Sequence, residues 1–309
     1  MPRLVFAGSS DFAVPSLEAL AGGSWEVSGV LTQPPRPTGR RRRLMPTPVG
    51  QRAAELGLET LTPVTLRDPA SVAQLAALRP EVLVVVDYGL ILPGLVLSLP
   101  AHGCVNGHAS LLPRWRGAAP IQAAILAGDA TTGISIMSMD KGLDTGPVYK
   151  MQDTNIGELE TAGELRTRLA AMCAELLAAT LPEIVAGRLR PRPQDETFAS
   201  YAGKITPEDA EVHWQGAAIE LARRIRAFAP RPGAWTTWRG QRLKLHRAGA
   251  LAEAEGPPGR VWRAGPEGID VATGLGSVRL LELQAPGGRV LVARDFLNGR
   301  ALLGEQLGA

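Results

Sequence analysis

The run Val82-Leu83-Val84-Val85-Val86 constrains the fold of this chain more than any other stretch. It is apolar at every position, so it has no face to offer water, and it is far too short to cross a bilayer. Such a strand is stable only between two covering layers, which is the setting of a central strand in a parallel sheet. The surrounding pattern agrees. Leu4-Val5-Phe6-Ala7 reads as a second buried strand and Gly8-Ser9-Ser10 as a turn. Residues 11–21 carry Phe12, Val14, Leu17 and Leu20 at helical spacing and stop at Gly22-Gly23. Further strands are expected at 27–32, 105–108, 133–139 and 147–150, and helices around 49–56 and 70–78. The longest helical segment, 161–187, opens on Thr161-Ala162-Gly163-Glu164, a capping-box pattern, and repeats Leu165, Leu169, Met172 and Leu176 on one face.

Strands alternating with helices argue for an α/β domain with an open, mainly parallel sheet over residues 1–187. Residues 188–205 are rich in proline and arginine, lack periodicity, and read as a linker. From 206 to 309 the texture changes. After a helix at 216–228, short strand-like pieces separated by Gly/Pro turns suggest a small β-barrel. The N-terminus has no apolar h-region, so no leader is expected, and no membrane contact either. Cys104 and Cys173 lack metal-ligand neighbours at useful spacing, so neither a zinc site nor a disulfide framework is expected, and a reducing cytoplasm fits best. Neither a G-x-G-x-x-G fingerprint nor a G-x-x-x-x-G-K-[ST] loop is present, so no nucleotide cofactor is indicated.

Open α/β sheets bind ligands at the carboxyl ends of their strands. Asn106-Gly107-His108 lies there, and residues two apart on a strand share a face. An amide beside an imidazole can stabilise an oxyanion and manage a proton. The loop Lys141-Gly142-Leu143-Asp144-Thr145-Gly146 offers a carboxylate that, brought to His108, would favour its charged form. Each piece alone is ambiguous. Asp144 in a glycine loop is also a turn former, and Cys104 reads as a packed core thiol. His102, His213 and His246 stand isolated. Arg36, Arg40, Arg41, Arg42 and Arg43 sit in an exposed Pro/Gly-rich loop, as a solvated run or as a phosphate-binding one.

The segment from Asn106 through Ser110-Leu111-Leu112-Pro113-Arg114-Trp115-Arg116-Gly117-Ala118-Ala119-Pro120-Ile121-Gln122 resembles the signature of the folate-dependent formyltransferases. Met139-Asp140-Lys141-Gly142-Leu143-Asp144-Thr145-Gly146 resembles that family's second motif, in the same order. The resemblance implies a Rossmann-like formyltransferase domain followed by an OB-like β-barrel. It implies Asn106, His108 and Asp144 as the catalytic trio, with Ser110, Leu111, Leu112 and Pro113 against the folate. It implies 10-formyltetrahydrofolate as formyl donor, with no metal. Phe6-Ala7-Gly8, Leu31-Thr32-Gln33-Pro34, Tyr201-Ala202-Gly203-Lys204-Ile205 and Ile225-Arg226-Ala227-Phe228 are similar to the members that act on methionyl-initiator tRNA. The arginine loop is then expected against the tRNA acceptor stem, and a monomer is expected. An aminosugar formyltransferase and a folate- or RNA-binding protein without catalysis are the rival readings.

Three positions depart from the family pattern. Gly107 stands where Val or Ile is usual, which would loosen the strand, so Gly107→Val is expected to raise the melting temperature. Asp87 follows the apolar run, where a buried carboxylate without partners would be costly. Pro35 occupies a place where an aspartate is usual.

Overall fold

The computed structural model describes residues 1–38 and 43–308; Arg40, Arg41 and Arg42 of the arginine loop lie outside the described residues. The chain divides into two compact units. The first comprises Met1–Gly117, Thr132–Thr154 and Arg166–Tyr201, and the second Ala118–Thr131, Asn155–Leu165 and the chain from Ala202 onward.

The chain opens with β1 (Arg3–Gly8), α1 (Val14–Ala21), β2 (Glu26–Leu31), β3 (Arg36–Thr38) and β4 (Arg43–Met45). It continues through α2 (Pro48–Glu55), β5 (Thr60–Leu61), α3 (Pro69–Ala77), β6 (Val82–Val86) and α4 (Gly94–Leu97). Then come β7 (Cys104–His108), β8 (Arg116–Gly117), α5 (Pro120–Ala127), β9 (Thr131–Ser138), β10 (Val148–Asn155) and α6 (Ala162–Val185). Seven strands form one sheet in the order β10-β9-β7-β6-β1-β2-β5. The pairs β5–β2, β2–β1, β1–β6 and β6–β7 are parallel, and β7–β9 is antiparallel.

Strand β6 is buried at every position, as its lack of a polar face requires. On one side of the sheet, Val5, Ala7, Leu83, Val85 and Cys104 join Leu66, Leu75, Tyr88, Leu92 and Val96 in a single apolar cluster. Each valine or leucine side chain taken fully from water contributes roughly 1.5–3 kcal/mol. On the other side lies α6: a β-carbon at Gly107 would stand 2.5 Å from Cys173 Sγ and 3.5 Å from Leu177 Cδ1. Burial pushes both thiols, Cys104 and Cys173, up to about 12, which leaves them unreactive core residues.

Two departures from the expected elements have simple causes. The proline- and arginine-rich stretch contains the antiparallel pair β3–β4, with Arg36 opposite Met45 and Thr38 opposite Arg43. Its exposed side chains show no apolar alternation, so periodicity does not reveal it. Helix α5 hides inside the long motif, although Pro120 at its start and left-handed Gly128 at its end are regular helix punctuation.

After β11 (Tyr201–Ala202), the second unit adds α7 (Ala218–Phe228), β12 (Trp235–Trp238), β13 (Gln241–Leu251), β14 (Val261–Gly265), β15 (Gly268–Ala272), β16 (Ser277–Gln284), β17 (Val290–Val292) and α8 (Ala293–Phe296). An antiparallel sheet runs β12-β13-β16-β15-β14, with β17 beside β16. Helix α7 buries Leu221, Ala222, Ile225 and Phe228 and packs on β13 and α5. Asp270, fully buried, opposes Arg279 across β15–β16 and accepts its guanidinium hydrogen bonds at 2.7 and 2.8 Å. A buried carboxylate needs such a partner to remain charged. Among the described residues no helix is long and apolar enough to cross a membrane.

Candidate active site

The carboxyl end of β7 carries the site. Strand alternation turns Gly107 toward α6 and leaves Asn106 and His108 on the opposite face, 8% and 6% exposed. Asn106 is held between neighbours on either side, opposite Val85 of β6 and Met137 of β9, and His108 on one side, opposite Ser135 of β9. The Asn106 amide has no hydrogen-bond partner among the described residues. His108 Nε2 lies 2.9 Å from the Trp115 carbonyl oxygen. A carbonyl can only accept, so Nε2 carries the hydrogen and Nδ1 is the nitrogen left for chemistry.

Nδ1 faces Asp144 Oδ2 at 3.7 Å, an ion-pair distance when the ring is charged. The same carboxylate oxygen accepts from the Gly117 N–H at 2.8 Å. Asp144 adopts φ +54°, a left-handed conformation that costs a side-chain-bearing residue about 1–3 kcal/mol and persists only where the surroundings enforce it. Part of that enforcement is the close turn of the loop: a side chain at Gly146 would collide with the Ser138 carbonyl. Imidazole and carboxylate, 36 residues apart from His108 to Asp144, thus meet at the carboxyl end of β7, with Asn106 on the same face of that strand.

Ser110, Leu111, Leu112 and Pro113 follow β7 directly. The Ser110 hydroxyl donates to the Arg114 carbonyl at 2.6 Å, and the Leu112 N–H donates to Ser135 Oγ at 3.0 Å. Leu112 packs with Met137 and Val148, while Leu111 and Pro113 stay partly exposed. Arg36 and Arg43 are exposed on the β3–β4 pair. Among the described residues no three His, Cys, Asp or Glu side chains stand together as a metal site.

The three unusual positions resolve differently. Gly107 leaves no hole, because Cys173 occupies the space a larger residue would need, which argues against valine there raising the melting temperature. Asp87 is neither buried nor alone. It is 44% exposed, and its carboxylate accepts from Arg166 Nη2 at 2.8 Å and from the Ser10 hydroxyl. Nothing in the structure explains Pro35.

Sequence reasoning missed the backbone partners, the Trp115 carbonyl and the Gly117 N–H, since main-chain groups leave no residue-type signal. It also missed Gln194, which donates to the carbonyls of Asp144 and Gly146 across an interval of about 50 residues.

The formyl transferase family model matches residues 2–181, and the model of the formyl transferase C-terminal domain matches residues 204–301. A methionyl-tRNA formyltransferase of Methylococcus capsulatus is 48% identical over 307 residues, covering 99% of both chains. One from Xanthomonas axonopodis pv. citri is 50% identical over 301 residues, covering 96% of this chain and 97% of the other. Among solved structures, an N-formyltransferase from Helicobacter canadensis, in complex with folinic acid and dTDP-3-aminofucose, shares the fold. Its TM-score is 0.68 at 17% identity, over 91% of this chain and 99% of the other. The chain belongs to the formyl transferase family, on the branch of the methionyl-tRNA formyltransferases.

Proposed function

We propose that this chain transfers the formyl group of 10-formyltetrahydrofolate to the free amino group of methionyl-initiator tRNA. The near-full-length relatives support the acceptor, and the folinic acid in the Helicobacter canadensis enzyme supports a folate donor. The observation that carries the chemistry is the Asp144 carboxylate set 3.7 Å from His108 Nδ1, with the Asn106 amide on the same face of β7.

In this reading the neutral amine attacks the formyl carbon, and the carbonyl oxygen gains negative charge. The Asn106 amide donates to that oxygen; removing one such donor typically costs about 10²–10³ in rate. His108, anchored through Nε2, presents Nδ1 to the proton that must pass from the attacking amine to the departing folate nitrogen. Asp144 stabilises the imidazolium formed on the way. Ser110, Leu111, Leu112 and Pro113 line the folate side, the partly exposed Leu111 and Pro113 side chains being the available contacts. Arg36, Arg40, Arg41, Arg42 and Arg43 contact the tRNA phosphates.

Single-turnover formyl transfer tests the roles of His108 and Asp144. His108→Ala and Asp144→Asn are each expected to lose about 10²-fold or more. Near-normal rates in either variant remove the assigned role. Transfer to an aminosugar nucleotide in place of the tRNA would replace the acceptor and leave the site chemistry standing.

A further inference from the structure

The segment after α6 runs along the edge of the active site. Arg192 and Val148 exchange backbone hydrogen bonds, each 2.8 Å. Ser200 accepts from the N–H groups of both Trp115, through its hydroxyl at 2.9 Å, and Arg116, through its carbonyl at 2.8 Å. Between these anchors lies Gln194. Its Oε1 accepts from Arg116 Nε at 3.1 Å and Nη2 at 2.8 Å. Arg116 is fully buried, and Glu196 takes its Nη1 at 2.8 Å and its Nη2 at 2.7 Å.

A guanidinium only donates, so this pairing fixes which end of the Gln194 amide faces it. The nitrogen end must point the other way. It donates one hydrogen to the Asp144 carbonyl at 2.9 Å and the other to the Gly146 carbonyl at 2.7 Å. Every hydrogen-bonding group of the amide is therefore committed. Residues Arg116 and Gly117 grip the same loop twice, through Gln194 on its carbonyls and through the Gly117 N–H on the Asp144 carboxylate.

We propose that Gln194 is a positioning residue for formyl transfer. By holding the main chain at Asp144 and Gly146 it keeps the left-handed Asp144 turned so that its carboxylate stays against His108, and Arg116 sets the orientation of Gln194. The inference rests on the proposed role of Asp144. Glutamate cannot substitute, because a carboxylate would bring an oxygen, with no hydrogen to donate, against two carbonyl oxygens.

The test is single-turnover transfer from 10-formyltetrahydrofolate to methionyl-initiator tRNA, with thermal melts, for Gln194→Glu, Gln194→Leu, Asp144→Asn and the double variant Gln194→Glu with Asp144→Asn. Misplacing a reacting group by about 1 Å costs up to ~10²-fold, so each single Gln194 variant is expected to lose about 10- to 100-fold in rate, with half-saturating substrate concentrations nearly unchanged. In the Asp144→Asn background the Gln194→Glu change is expected to add little, since both act through one carboxylate. Rates within about twofold of the parent, or an equal loss with and without Asp144, overturn the inference. Near-normal transfer by Asp144→Asn alone overturns the role of Asp144 instead. If Gln194→Leu does not fold, Gln194→Glu, which keeps an acceptor toward Arg116, carries the test.

Discussion

Gly107 shows how one residue can mislead when only its strand is considered. On β7 it looks like a missing side chain, yet the atom that fills the space is Cys173 Sγ, brought by a helix more than 60 residues later. Gly107→Val is expected to destabilise the protein by about 1–3 kcal/mol, the usual cost of overpacking a close-packed site. Urea unfolding should show it, and Cys173→Ala in the same chain should recover most of the loss. A stabilised Gly107→Val would mean that Cys173 moves aside freely. Asp87 makes the same point about charge. Its position after five apolar residues suggests burial, but a left-handed φ of +44° turns it out to meet Arg166. Asn106 and His108, by contrast, were legible as a pair, because period-two alternation places them on one face whatever packs around them.

At the scale of elements, the start of α6 carries out what its residue pattern announces. The Thr161 N–H donates to Glu164 Oε2 at 2.9 Å, and the Glu164 N–H donates back to Thr161 Oγ1 at 3.3 Å. The Glu164 carboxylate also accepts from Arg247 of β13, a partner no local pattern reveals. That hydrogen bond, with those from Thr161, lowers the Glu164 pKa from 4.5 to about 2. A depressed carboxylate stabilises the folded state above its unfolded pKa and loses that contribution as pH falls toward its folded one. The stability difference between the parent and Glu164→Gln should therefore be full above pH 4.5 and shrink as pH approaches 2, measured by denaturant midpoints. A difference constant across that window would mean the carboxylate is not the source. Elements with a strong residue pattern, such as the uniformly apolar β6 and the periodic α6, could be read from residues; β3–β4 and α5 could not, since their signals are short or lie within a longer motif.

For the whole molecule, a formal charge of +3 is modest, and placement matters more than the sum. Arg36 and Arg43 are exposed on one short strand pair, and in the second unit Arg239, Arg242 and Arg263 lie over Trp238, Trp235 and Trp262. If the arginine loop meets tRNA phosphates, log affinity should fall linearly with log salt. Replacing Arg36 and Arg40–Arg43 should then flatten the slope by about 0.7–0.9 for each contact removed. Filter binding across a salt series measures it, and an unchanged slope assigns those residues to a solvated loop. Burial pattern and turn chemistry are local properties, so residue pattern was enough to indicate an open, mainly parallel sheet and a second, strand-rich domain, while the family was legible only through the resemblance of its two motifs. The meeting of Asp144 with His108, the Cys173 plug beneath Gly107 and the Gln194 clamp were decided only by tertiary structure. Each depends on distance between groups far apart in the chain, and short-range forces act on distance, not on order along the backbone.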